Sequence, residues 1–134
     1  MTKKVVNTSG KRKTAIAKAT VSKGQGRVRI NNTPVELYEP MIARFKIMEP
    51  ITIAAGKVDD IDIDVTVSGG GFMSQANACR TAIAKGLLEY TADPMLKVSF
   101  LEFDRSLLVS DSRFKEAKKP LGRGARKKRQ KSYR

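Results

Sequence analysis

I-D-I-D-V-T-V-S-G-G-G-F-M-S-Q-A-N-A-C-R-T-A-I-A-K-G-L-L-E-Y, running from Ile61 to Tyr90, changes its period in the middle. In its first part Ile61, Ile63, Val65 and Val67 fall on one side of an extended chain, and Asp60, Asp62, Asp64 and Thr66 on the other. Side chains alternate across a strand, so this is a strand with one buried face. Ser68-Gly69-Gly70-Gly71 ends it. From Phe72 the period is that of a helix: Phe72, Ala76, Cys79, Ile83, Leu87 and Tyr90 form one stripe, with Thr81 and Lys85 opposite. Small residues along that stripe allow the helix to lie close on a sheet. A strand running into a long helix across a glycine corner predicts an α+β domain.

Working outward, Thr14 to Ser22 also alternates, with Ala15, Ala17, Ala19 and Val21 on one side. Lys4 to Ser9 is expected as a strand, and Gly10-Lys11-Arg12-Lys13 as a basic turn after it. Lys23-Gly24-Gln25-Gly26 supplies turn glycines, and Arg27 to Asn31 alternates basic and apolar residues, which predicts an antiparallel hairpin with the preceding strand. Pro40 stands at the first turn of an expected helix, Met41 to Met48, which Pro50 should break or bend. Ile51 to Ala55 reads equally as helical continuation or short strand. After Asp93-Pro94 a further helix is expected to put Met95, Val98 and Leu101 on one face, and Leu107 to Val109 is a last apolar patch. The economical arrangement is a three- or four-stranded sheet with helices on one face.

The charge is unevenly placed. Residues 113–134 contain eleven Lys or Arg against Glu116, which accounts for +10 of the chain's net +14. The other 112 residues hold 16 basic and 12 acidic side chains. The basic segment has too little apolar surface to fold alone, and its like charges keep it extended until a polyanion neutralises them. Stretched out, 22 residues reach on the order of 70 Å. The organisation expected is therefore one globular domain over residues 1–112 and an extended basic arm over 113–134. Pro120, Gly122 and Gly124 keep that arm non-helical.

Composition narrows the function. The chain has no His and no Trp, so the commonest general base and metal ligand are missing and a base-stacking platform has few rings to use. Affinity for a nucleic acid must then come mainly from phosphate contacts. One cysteine, Cys79, on the apolar stripe, fits a small buried hydrophobe in a reducing compartment. No apolar run approaches membrane-spanning length, and Met1 to Asn7 lacks the apolar core of a secretory signal. A cytoplasmic protein without membrane, cofactor or small-molecule substrate is expected.

The aspartates at 60, 62 and 64 could hold Mg²⁺ from one strand face, but a solvated face that blunts edge-to-edge association is the preferred reading. Gly69-Gly70-Gly71 suits either a tight corner or a backbone cradle for an RNA phosphate, and lacks the Lys-Ser/Thr of a nucleotide loop. Lys11, Arg12 and Lys13 favour nucleic-acid contact, as a basic surface that Lys3, Lys4, Lys18, Arg27 and Arg29 would extend. Arg80 and Lys85, off the helix's stripe, are candidates for the same surface.

Gly69 to Leu87 resembles the signature of the family of the ninth protein of the small ribosomal subunit. Gly69, Gly70, Gly71, Ser74, Gln75, Ala78, Ala82, Ala84, Lys85, Gly86 and Leu87 fill its places. The resemblance extends to G-K-R-K-T-A-I-A-K-A near the start and to D-S-R-F-K-E-A-K-K-P-L-G-R-G-A-R-K-K-R-Q-K-S-Y-R at the end. The Q-K-S-Y-R ending and Ser110 are similar to the archaeal and eukaryotic branch. The resemblance implies a fold similar to the second domain of ribosomal protein S-five, a sheet with helices on one side and a left-handed crossover. It implies a structural, non-catalytic role in the head of the small subunit, among neighbouring head proteins. It further implies that Lys11, Arg12, Lys13, Lys118, Lys119, Arg123, Arg126, Lys127, Lys128 and Arg129 contact small-subunit ribosomal RNA. Lys131 and Arg134 would touch the peptidyl-site tRNA, supported by Ser132 and Tyr133. The runner-up is a free nucleic-acid chaperone or chromatin-type protein using its arm non-specifically; an enzyme built on the aspartates has little behind it.

Overall fold

The computed structural model describes residues 4–133. Five strands form one mixed sheet: β1 (Val5–Arg12), β2 (Ala15–Lys23), β3 (Val28–Ile30), β4 (Thr33–Pro34) and β5 (Ile61–Ser68). Three helices accompany them: α1 (Met41–Ile53), α2 (Phe72–Thr91) and α3 (Pro94–Phe103), with short 3-10 turns at Val35–Leu37 and Arg105–Leu107. The alternation read in β2 and β5 is the alternation found. Ala15, Ala17, Ala19 and Val21 face the helices and are buried, as are Ile61, Ile63, Val65 and Val67. Ile16, Lys18, Thr20, Asp64 and Thr66 lie on the open face. All the helical packing is therefore on one side of the sheet, as expected for this α+β class.

The strand order, β1-β2-β5-β3-β4, corrects the sequence reading. β2 and β3 do not form a hairpin. β5 lies between them, antiparallel to β2 and parallel to β3, with Val28, Arg29 and Ile30 opposite Ile63, Asp64 and Val65. Parallel neighbours need a crossover, and the chain from β3 through α1 to β5 supplies it. The Gly24–Arg27 loop is held to β5 instead: Gly24 N–H donates to the Asp60 carbonyl at 2.9 Å, and Ile63 N–H to the Arg27 carbonyl at 2.8 Å. β2 instead forms its hairpin with β1, in register from Val5–Ser22 to Arg12–Ala15, and β3 forms a short one with β4, Ile30 opposite Thr33. Gly10, Lys11 and Arg12 thus belong to β1, and the turn is reduced to Lys13-Thr14, with Lys13 at φ 52°.

α1 continues to Ile53, so Pro50 does not end it and the helical reading of Ile51 onward holds as far as that residue. α2 packs against β1 and β2 on one flank and α1 on another. It is consequently buried all round over Ala78–Ala84, and Thr81, expected on the polar side, is buried and donates to the Asn77 and Ser106 carbonyls. Two glycines let backbones meet here. A Cβ on Gly10 would lie 2.2 Å from the Ala78 carbonyl oxygen, and one on Gly86 2.6 Å from a Val21 methyl. α3 buries Leu96 and Phe100, not Met95, Val98 and Leu101, which are exposed. Its apolar residues surround the whole helix, so period alone does not choose the packed side.

Arg80 is the largest surprise inside the core. Only 4% exposed, it sits between Glu49 of α1 at 2.6 Å and Asp104 after α3 at 2.6 Å, and ties three helices together. Burial raises the Asp104 carboxyl, but the Arg80 hydrogen bond, the Ser106 amide and hydroxyl and the Arg80 charge outweigh it and bring it from 3.8 down to about 2. A depressed carboxyl stabilises the fold above its unfolded value and loses that contribution as pH falls through the folded one. Arg80→Met should destabilise the fold by about 2 to 3 kcal/mol at pH 7, below the range for a fully buried pair because Asp104 stays partly open. It should also make the loss of stability between about pH 4 and 2 shallower than in the wild type, by the share that the Arg80–Asp104 contact contributes. Urea unfolding at pH 7, 4 and 2.5 checks both, and an unchanged acid profile in the variant would refute the assignment.

Candidate nucleic-acid interface

The end of the β1–β2 hairpin carries Lys11 and Lys13, both exposed, and Arg12, half-buried. Successive strand residues point to opposite faces, so Lys11 lies on the open sheet face opposite Ile16, while the next pair along is Ser9 with Lys18. Lys18 therefore joins Lys11 on one face. Arg27 and Arg29 do not: Arg29 Nε is 3.0 Å from an Asp64 oxygen, and an Arg27 Nη donates to Gln25. Lys4 is at the opposite end of β1, its Nζ on the Tyr90 carbonyl at 2.6 Å. The continuous basic surface expected from these residues is thus broken into separate groups by acidic partners and distance along the strand. Lys3 lies outside the described residues.

Arg80, expected near that surface, is in the core instead. Lys85 is half-buried beside β1, its Nζ 3.4 Å from the Ser9 carbonyl. Nothing in either residue's local sequence separates a buried arginine from an exposed one; the acids that hold Arg80 are 31 residues before it and 24 after.

The acidic strand face is put to a use that was not foreseen. Asp62 accepts the Gln25 and Arg27 amides at 2.8 and 3.0 Å, which holds its carboxyl below the usual range. Asp64 pairs with Arg29. Asp62 staples the Gly24–Arg27 loop to a central strand and Asp64 pairs across to β3, so neither guards a sheet edge. Among the described residues no cluster of acidic, Cys or His side chains is arranged to hold a metal ion. Cys79 is buried, and desolvation pushes its thiol up to about 12.

The glycine corner packs on the same hairpin end. Gly69 and Gly70 have φ of 79° and 64°, and a Cβ on Gly69 would stand 2.6 Å from the Thr14 carbonyl oxygen. For these two the tight-corner reading applies. Gly71 differs: its backbone is extended, and a Cβ would meet nothing within 4 Å.

The last buried apolar residue of the core is Leu107. Beyond it the chain passes the hairpin end, where an Arg12 Nη donates to the Arg113 carbonyl at 3.0 Å and Lys11 Nζ stands 5.8 Å from the centre of the Phe114 ring. Lys118, Lys119, Arg123, Arg126, Lys127, Lys128 and Arg129 follow, all exposed. Arg126 makes a two-point pair with Glu116, at 3.0 and 2.7 Å, and Gly122 bridges Lys128, so this stretch loops back on itself. Lys131, Ser132 and Tyr133 are exposed, and Arg134 lies outside the described residues. The arrangement brings the root of the basic segment against Lys11 and Arg12.

The family model described as Ribosomal protein S9/S16 matches residues 10–134. The small ribosomal subunit protein uS9 of Methanothrix thermoacetophila is 60% identical over 131 residues, 98% of this chain and 99% of its own. The protein of the same name from Halobacterium salinarum is 60% identical over 131 residues, 97% and 99% of the two chains.

Proposed function

This chain belongs to the ribosomal protein S9/S16 family, and we propose that its body seats on ribosomal RNA in the head of the small subunit while residues 113–134 run as an arm toward the peptidyl-site tRNA. It is a structural constituent of the small ribosomal subunit in the cytoplasm, and its work is binding rather than catalysis. The observation that carries the reading is the placement of charge: a +10 segment leaves the body at the hairpin end that itself exposes Lys11 and Lys13. Cations held in one place along the path of a phosphate chain release its counterions, which gives affinity without base contacts.

In this reading Lys11 and Lys13, with Lys118, Lys119, Arg123, Arg126, Lys127, Lys128 and Arg129, meet ribosomal RNA. Arg126 would exchange Glu116 for a phosphate, since an exposed pair costs little to open. Lys131 and Arg134 meet tRNA phosphates, and Ser132 and Tyr133 hold their spacing.

High-salt sucrose-gradient fractionation of a lysate tests the first half. One copy per small-subunit RNA, surviving the wash, is expected; loss to the top of the gradient would favour a free nucleic-acid chaperone. Deleting residues 131–134 tests the second half. Subunits should still assemble but bind peptidyl-site tRNA more weakly, and unchanged tRNA affinity in reconstituted subunits would remove that role.

A further inference from the structure

Asp111, Arg113 and Phe114 at the root of the arm are tied down, and one carboxylate holds most of the ties. Asp111 accepts from the Arg113 amide at 3.0 Å, from Arg113 Nε at 3.0 and 3.1 Å, and from an Arg113 Nη at 2.7 Å. On its other side Arg12 Nε is 3.5 Å away, and that same guanidinium donates to the Arg113 carbonyl. Phe114 lies under Lys11, within cation–π range. The Arg12 and Asp111 side chains are sheltered, at 18% and 21% exposure, while Arg113 is 83% exposed.

We propose that Asp111, Arg12, Arg113 and the Lys11–Phe114 contact form a clamp that fixes the direction in which the arm leaves the body, with Asp111 as its positioning residue. Arg12 then works as an internal strut, and Lys11, Lys13 and the arm's cations are aligned along one track. The consequence for RNA rests on the reading of residues 113–134 as an RNA-bound arm; the clamp itself does not.

The physical argument is one of entropy. A lone exposed ion pair is worth little. Here a single carboxylate gathers two guanidinium groups and a backbone amide, so fixing one group fixes the others. An arm with a free root samples every direction open to it, and binding must then remove that freedom. A root already aimed has less to lose.

Asp111→Asn separates this role from plain electrostatics because the two predict opposite signs. Removing an acid beside two arginines should strengthen phosphate binding if the carboxylate is only a charge. If it is the clamp, affinity for purified small-subunit ribosomal RNA should fall, by about three- to tenfold. Spin labels on Thr66→Cys, on the open sheet face, and on Ala117→Cys, at the start of the arm, report the root directly. Cys79 is buried and does not compete for the label. A narrow distance distribution is expected without the Asp111 substitution and a broad one with it. Arg12→Gln should broaden it as well, and the two substitutions together should broaden it no further than either alone. Identical distributions with and without Asp111→Asn would overturn the clamp, and affinity unchanged or raised by it would overturn its consequence for RNA. Failure of the unsubstituted chain to bind the RNA would instead remove the reading of the arm, while the distances still decide the clamp.

Discussion

Gly10→Ala is expected to cost about 3 kcal/mol, the upper end of what forcing one extra carbon into a packed core does. The added Cβ would sit 2.2 Å from the Ala78 carbonyl oxygen and 2.8 Å from the Ala82 amide nitrogen. Both are backbone atoms of the longest helix, and no rotamer change relieves them. β1 must lift away from α2, and the cost spreads to the neighbouring Thr8 hydroxyl, which donates to the Ala82 carbonyl at 2.8 Å. A domain this size has roughly 5 to 15 kcal/mol in total, so the loss is a large fraction of it. With a urea slope of about 1–3 kcal/mol/M, the unfolding midpoint should drop by at least about 1 M. Gly71→Ser is the control from the same family of glycines. Its position is open and extended at the helix N-cap, where Ser is better than Gly by about a few tenths of a kcal/mol. Equal midpoints for the two variants would show that close approach of β1 to α2 is not what the glycine is for.

Ending the chain at Ser112 is expected to have the largest effect on RNA binding and almost none on folding. Leu107 closes the core, so thermal unfolding of the shortened chain should match the full one. RNA affinity should not. The seven arm cations assigned to ribosomal RNA would each contribute roughly 0.7 to 0.9 to the slope of log affinity against log salt, about 5 to 6 in all. The full chain should lose affinity by about 10³-fold or more between 50 and 200 mM salt, and the shortened chain far less. Titration against small-subunit ribosomal RNA at three salt concentrations measures this. A slope that changes by less than about 2 would mean the arm does not lie along phosphates, however basic it is.

Several features follow from local pattern and composition alone. A strand betrays its buried face by alternation, so Ala15, Ala17, Ala19, Val21, Ile61, Ile63, Val65 and Val67 could be placed toward the core without knowing what covers them. The glycine run and the change to a 3.6-residue period located the β5–α2 junction. The charge of residues 113–134 is a sum over side chains and needs no fold at all.

What local pattern leaves open is the identity of a neighbour. The alternation in Arg27–Asn31 is satisfied equally by β2 or β5, because any strand can complete its hydrogen bonds. β5 takes the place through contacts that no short window contains: Asp62 on the Gln25 and Arg27 amides, and the parallel pairing of Val28 with Ile63. Arg80 is buried because Glu49 and Asp104 arrive from other helices, and α3 turns Leu96 and Phe100 inward because α1 and α2 cover that side. Arg12 illustrates the same limit at the interface. In the chain it is one of three adjacent cations; in the fold, Asp111, 99 residues later, binds it to the root of the arm. Charge and period belong to a segment, whereas partnership is settled by non-local packing, which selects among segments that look alike.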